Sequence, residues 1–116
     1  MASKSSCALY LHYHVKSGQE DHLLGLIEAI LARCAEEEDF ITGVLHRTED
    51  RPGEFTLYEL WRGTKEHFLA TQGTRDYRRA YIEASKPLVD SVDVTWDIPM
   101  RVWGGLVALD LVADPD

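Results

Sequence analysis

The sequence has little of what marks secreted, membrane-spanning or nucleic-acid-binding proteins. It contains only two cysteines, Cys7 and Cys34, which are too few for a disulfide framework and lack metal-ligand spacing. Its longest apolar stretch, residues 102–112, contains two glycines and an aspartate and is too short to span a bilayer. Acidic residues outnumber basic ones by 20 to 12, a balance that opposes binding to nucleic acid or anionic membranes. We therefore expect a cytoplasmic protein with free thiols.

Motifs for common cofactors and catalytic triads are also absent. The chain has no glycine-rich phosphate loop, no dinucleotide-binding fingerprint, no Ser-His-Asp spacing and no cluster of metal ligands. We therefore expect no bound cofactor and no metal. The first seven residues are polar, which predicts an unordered start without a secretory signal.

The rest of the chain has the length and pattern of one α+β domain. Alternating apolar residues predict strands over 8–15, 40–47, 54–62 and 91–98. Helical spacing predicts helices over 18–37, 65–71 and 75–85, with Ser17 and Thr64 as the caps of the first two. This βαββαβ order predicts a ferredoxin-like fold, a four-stranded antiparallel sheet with its helices on one face.

The third strand carries the most informative pattern. Side chains two apart in a strand share a face, so Phe55, Leu57, Glu59 and Trp61 point the same way. Glu59 and Trp61 are then either a satisfied structural pair or part of a pocket open beneath the helices. In a pocket, Trp61 would stack on a flat substrate, and burial would raise the pKa of Glu59 toward the range of a general base.

The opposite face of the sheet predicts a homodimer. It would carry Tyr10, His12, His14, Thr56, Tyr58 and Leu60. Packing two such faces together would hide the aromatic side chains from water. The apolar tail, residues 99–116, would pack on this dimer, and adding a strand to the partner's sheet is one solution.

His12 and His14 share a face as two metal ligands would, but the sequence offers no third ligand at convincing spacing.

The chain resembles the antibiotic biosynthesis monooxygenase domain of the dimeric α+β barrel superfamily. The matching segments are His14–Glu20, Val44–Arg47, Pro52-Gly53 and Phe55–Trp61, and the resemblance spans residues 8–98. It implies a homodimer with a small pocket between sheet and helices in each subunit. Members include cofactor-free oxygenases of phenols and anthrones, quinol monooxygenases, haem-degrading enzymes and isomerases, so the fold does not choose the reaction.

Departures from the family pattern reduce the number of reactions that can be expected of this chain. Many members carry a His-Leu pair and then a Pro-His pair in the second helical region, where this chain has Thr71-Gln72 and Arg75-Asp76. The positions of asparagine, tryptophan and histidine in haem-degrading members fall on Leu11, Thr71 and Tyr81, so haem degradation is not expected.

The resulting hypothesis is a monooxygenase whose phenolic, anthrone or quinol substrate itself passes electrons to dioxygen. Glu59 or His67 would accept the proton, and Tyr13 or Tyr81 would hold the oxyanion. The alternatives are an isomerase using the same cleft and a non-catalytic binder of small molecules. The residues expected to line the cleft are Leu11, Tyr13, Trp61, Phe68, Thr71 and Tyr77.

Overall fold

A computed structural model describes residues 5–112 and has the expected order of elements. The strands are β1 (Ser6–Val15), β2 (Phe40–Arg47), β3 (Glu54–Arg62) and β4 (Val89–Asp97); the helices are α1 (Glu20–Cys34), α2 (Lys65–Thr71) and α3 (Asp76–Ser85). Short 3₁₀ turns cover Lys86–Leu88 and Gly104–Leu109. Within this part of the chain, no helix has the length and apolar character needed to cross a membrane.

The four strands form one antiparallel sheet in the order β2-β3-β1-β4. This is the predicted ferredoxin-like arrangement, with β1 and β3 at the centre. The register places Leu9 opposite Glu59 and Leu11 opposite Leu57, so the alternate residues of both central strands share one face. The helices cover that face, which we call the helix side; the other is the outer face.

The core lies between the helix side of the sheet and the helices. One cluster of buried side chains is centred on Tyr13, Leu57 and the α1 residue Ile27. A second is centred on Trp61 and Phe68. Leu11 and Tyr81 pack against both clusters and connect them into one core.

Several predicted boundaries are wrong. The first helix ends at Cys34 rather than at residue 37, and β4 begins at Val89 rather than at residue 91. Ser6 and Cys7 are buried in β1 rather than unordered, because they pair with the end of β3; residues 1–4 lie outside the described part. The first helix begins at Glu20 with Gln19 at the N-cap and no side-chain cap, so Ser17 is not the cap. The chain turns at Gly18, which has a φ of 85° suited to glycine, and this puts Ser17 outside the helix. The second expected cap is present, since the Thr64 hydroxyl accepts the His67 N–H.

The tail packs on its own sheet. Leu111 is buried against Ala8 and Leu60 on the outer face, and the Ser6 hydroxyl donates to the Leu111 carbonyl over 2.6 Å. Within this single chain, residues 99–112 form no strand. The tail therefore covers one end of the outer face of its own subunit.

We predict that Leu111→Ala lowers the free energy of unfolding by about 2 kcal/mol or more, because it leaves a cavity over Ala8 and Leu60. Leu109→Ala is the matched control, since Leu109 is exposed in the same tail and should change stability by less than about 0.5 kcal/mol. Urea denaturation measures both. Equal effects of the two substitutions would mean that the tail is not docked on the sheet.

Candidate functional site

The site is built around a carboxylate inside the core. Glu59 is 3% exposed and Trp61 is 1% exposed, both on the helix side of β3. The Trp61 indole N–H donates to Glu59 Oε1 over 2.9 Å. The sequence prediction that these two side chains share a face is therefore correct, and each supplies the other with a hydrogen-bond partner.

The surroundings of Glu59 favour its neutral form. Burial raises the pKa of the carboxyl above its usual 4.5, while the Trp61 hydrogen bond and the charge of Arg78 act in the opposite direction. A carboxyl group with a raised pKa in an apolar site is suited to exchange protons near neutral pH. Glu59 therefore has the electrostatic setting of a general base or acid.

Tyr13 and Tyr81 lie close enough to Glu59 for its charge to affect their pKa values. The hydroxyls of Tyr13 and Tyr81 hydrogen-bond to each other over 2.8 Å. Burial raises the pKa of Tyr81 to about 12 and raises that of Tyr13 further, and the Glu59 charge adds to both increases. Both hydroxyls therefore stay protonated at neutral pH, and one of the two protons is donated within the pair, which leaves the other for a further acceptor.

The segment formed by α2 and α3 adds two groups that the sequence reasoning did not select. Arg78 lies with its guanidinium 4.9 Å from the Phe68 ring centroid and donates to the Cys34 sulfur. Its Nε atom and the Oε1 atom of buried Gln72 have no partner among the described residues. Arg78 precedes Tyr81 by three residues, and that helical spacing is the signal that would have placed both on one face.

The expected open cleft over Trp61 is filled by aromatic rings. Phe40 and Phe68 meet Trp61 edge to face, with ring centroids 5.1 and 5.0 Å away. Phe68 in turn meets Trp96 of β4 at 5.1 Å. Rings at these distances leave no room for a second planar molecule on the indole, so of the two alternatives this conformation favours the satisfied structural pair over an open pocket.

A family model described as "Antibiotic biosynthesis monooxygenase" matches residues 8–82. The chain belongs to this family. The match covers the sheet through β3 and reaches into α3, so it includes Glu59, Trp61 and both tyrosines. No curated protein matches the sequence.

Solved structures share the fold at low sequence identity. Rv0793 from Mycobacterium tuberculosis superposes with a TM-score of 0.77 at 20% identity, covering 86% of this chain and all of that one. PA3566 from Pseudomonas aeruginosa gives 0.76 at 16%, covering 87% and 99%. SnoaB from Streptomyces nogalater, described as a cofactor-independent oxygenase, gives 0.74 at 12%, covering 84% and 96%. At these identities the likeness concerns the fold alone.

The hydroxyls of Tyr77 and Thr71, which were expected to contact the substrate, form hydrogen bonds with other parts of the protein. Tyr77 packs its ring on the core but donates its hydroxyl to Glu37 over 2.9 Å, in the turn after α1. The Thr71 hydroxyl donates to the His67 carbonyl within α2. Tyr77 and Thr71 therefore have no uncommitted hydroxyl proton for the expected substrate contact. Leu11 and Phe68 pack in the cluster that contains Trp61, and Tyr13 lies in the other core cluster.

His67 is part of a separate surface cleft. Its Nε2 atom lies 2.8 Å from Asp39 Oδ2, and both side chains line a cleft of about 580 Å³ next to Gly63. A Cβ at Gly63 would lie 2.9 Å from the His67 ring, so glycine permits this close approach. His67 and the buried Glu59 are therefore not parts of one site in this conformation.

We predict that Glu59 makes the protein less stable as pH rises. The folded-state pKa is raised, so the unfolded chain releases this proton first, and stability falls from about pH 4.5 until the folded pKa is passed. Glu59→Gln retains an oxygen for the Trp61 N–H and removes this penalty, so its stability relative to the wild type should increase between about pH 4 and 7.

The measurement is urea denaturation across that pH range, with Glu83→Gln as control because Glu83 is an exposed carboxylate on α3. A stability difference between Glu59→Gln and wild type that does not change with pH would contradict the raised pKa.

Proposed function

We propose that this protein is a cofactor-independent monooxygenase acting on a small phenolic, anthrone or quinol-type substrate. The observation that carries the proposal is the buried carboxylate of Glu59, held in an aromatic core beside two protonated tyrosines. The family membership supports oxygenase chemistry or small-molecule binding without naming a substrate. The absence of cofactor motifs from the sequence agrees with a reaction in which the substrate supplies the electrons.

In the proposed reaction, Glu59 takes a proton from the substrate. The resulting anion passes one electron to dioxygen, the two radicals combine into a peroxide anion, and this anion takes the proton back from Glu59 to form a hydroperoxide. For an anthrone-type CH₂ group, loss of water from that peroxide leaves a carbonyl, so one oxygen atom enters the product and the other leaves as water. The Tyr13–Tyr81 pair would hold the substrate oxyanion, and the dry core would strengthen that interaction.

Glu59 is supported over His67 as the proton acceptor. The carboxyl has a raised pKa and lies in the apolar core, whereas His67 is exposed and paired with Asp39. A base has to contact the proton that it removes, and the aromatic and hydroxyl groups suited to a planar substrate surround Glu59.

Substrate entry would require movement of α2. This helix has seven residues and buries one of them, Phe68, whose ring packs edge to face on the indole of Trp61 and covers it. Displacing Phe68 would expose Trp61 and bring a ligand to the unpartnered atoms of Gln72 and Arg78. Short, weakly anchored elements are the ones that open most readily, and lids of this kind commonly gate enzymes.

Oxygen uptake with anthrone and hydroquinone substrates tests the proposal. Glu59→Gln should lower the rate by about 10²- to 10⁴-fold, the usual contribution of a general base. Trp61→Ala should also lower it, with Trp103→Ala as the matched control because Trp103 is 83% exposed. Rates that stay equal across Glu59→Gln, Trp61→Ala and wild type would eliminate these residues as participants.

The closed packing also supports a second function, in which the protein binds a small molecule without turning it over. A thermal-shift screen with aromatic compounds under air and without oxygen separates the possibilities. Ligand stabilisation without turnover supports the binder, since binding to the folded state raises stability by mass action. Turnover that persists without oxygen supports the isomerase instead.

We also propose a homodimer, in the cytoplasm, formed through the outer face. Tyr10 and Val44 are exposed apolar residues on that face, beyond the end covered by the tail. Apolar side chains on one sheet face favour burial against a second copy.

The dimer is tested by Val44→Asp, which places a charge in the proposed contact and should shift the protein toward monomer in size-exclusion chromatography with light scattering. Ile82→Asp is the control, because Ile82 is 55% exposed on α3. A wild-type protein that is monomeric at micromolar concentration would refute the dimer.

A further inference from the structure

The outer face carries a cluster of metal-ligand side chains at the end that the tail leaves open. His12 and His14 project from β1, and Asp93 projects from β4, which pairs with β1 directly opposite His12. One ligand atom from each of the three residues lies within 4.8 Å of the other two. The sequence could not supply this third ligand, because Asp93 follows His14 by 79 residues.

The distances within the cluster are close to those around a bound ion. His14 Nε2 lies 3.0 Å from Asp93 Oδ2, and His12 Nε2 lies 2.8 Å from Glu54 Oε1. Ligands about 2.0–2.1 Å from a tetrahedral zinc ion lie about 3.3 Å from one another. The His14–Asp93 distance is already this short, whereas the three ligand atoms together are only within 4.8 Å of one another, so an ion would draw them closer. The two histidine rings are adjacent, with centroids 4.4 Å apart.

The charge of the cluster favours a divalent cation. With neutral imidazoles, Asp93 and Glu54 contribute two negative charges, and Arg51 approaches Glu54 only at 3.7 Å from an exposed position. Imidazole with carboxylate is a ligand combination suited to zinc and to similar transition-metal ions. In the single chain the cluster is partly exposed, and in the dimer proposed through the outer face it would lie at or beside the interface.

We propose that His12, His14 and Asp93 form a binding site for one zinc-type divalent transition-metal ion per chain, with Glu54 as a supporting carboxylate. The site lies on the face of the sheet opposite to Glu59 and Trp61. It is therefore independent of the proposed oxygenase chemistry, and either one can be refuted without the other.

The test uses tag-free, chelator-treated protein titrated with Zn²⁺ by calorimetry and with Co²⁺ by visible absorption. We expect one ion per chain and a d–d spectrum typical of nitrogen and oxygen ligands. His14→Ala and Asp93→Asn should each weaken binding at least about tenfold, and Glu54→Gln by about 10- to 100-fold if it orients His12.

His46→Ala is the matched control. His46 lies on the outer face of β2, opposite Thr56, and outside the cluster, so its loss should leave the affinity unchanged. Thermal unfolding in chelator verifies that each variant is folded. The proposal is overturned if the wild type takes up no stoichiometric ion, or if the His12→Ala/His14→Ala double variant binds zinc as tightly as the wild type.

Discussion

Burial of the Glu59 carboxylate is the constraint around which the helix side of this protein is organised. A carboxyl group removed from water needs a hydrogen-bond donor, and the neighbouring indole of Trp61 supplies one from the same strand face. Because the indole is also the largest side chain of the core, the surrounding rings fix its position and with it the position of the carboxyl. The polar group is thus held by apolar packing.

The same arrangement separates the two faces of the sheet chemically. On the helix side, apolar rings surround a few hydroxyl and carboxyl groups and raise the pKa values of Glu59, Tyr13 and Tyr81. On the outer face, histidines and carboxylates are partly exposed in the single chain and pair with one another across strands. Strand alternation alone produces this division, since His12 and Tyr13 are adjacent in sequence and point to opposite faces.

The acidic turn after α1, residues 36–39, contacts the α2–α3 segment, which its composition alone does not predict. Glu37 accepts hydrogen bonds from Tyr77 and Arg75, and Asp39 contacts His67. The turn therefore connects the end of α1 to the α2–α3 segment through contacts among five side chains, one of which is the ion pair of Glu37 with Arg75. The contacts of Arg75 and His67 are exposed and screened by solvent, whereas the hydrogen bond between Tyr77 and Glu37 is partly buried.

The sequence by itself determined the order of elements, the bounds of β2 and β3, the Thr64 cap and the shared face of Glu59 and Trp61. Those features depend on periodicity and on neighbours within a few residues, which a single chain displays directly. Only the tertiary structure decided that Phe68 closes the indole, that Arg78 lies near Glu59, and that Asp93 joins His14 across 79 residues. Such contacts arise from packing between distant segments, and local spacing carries no information about them.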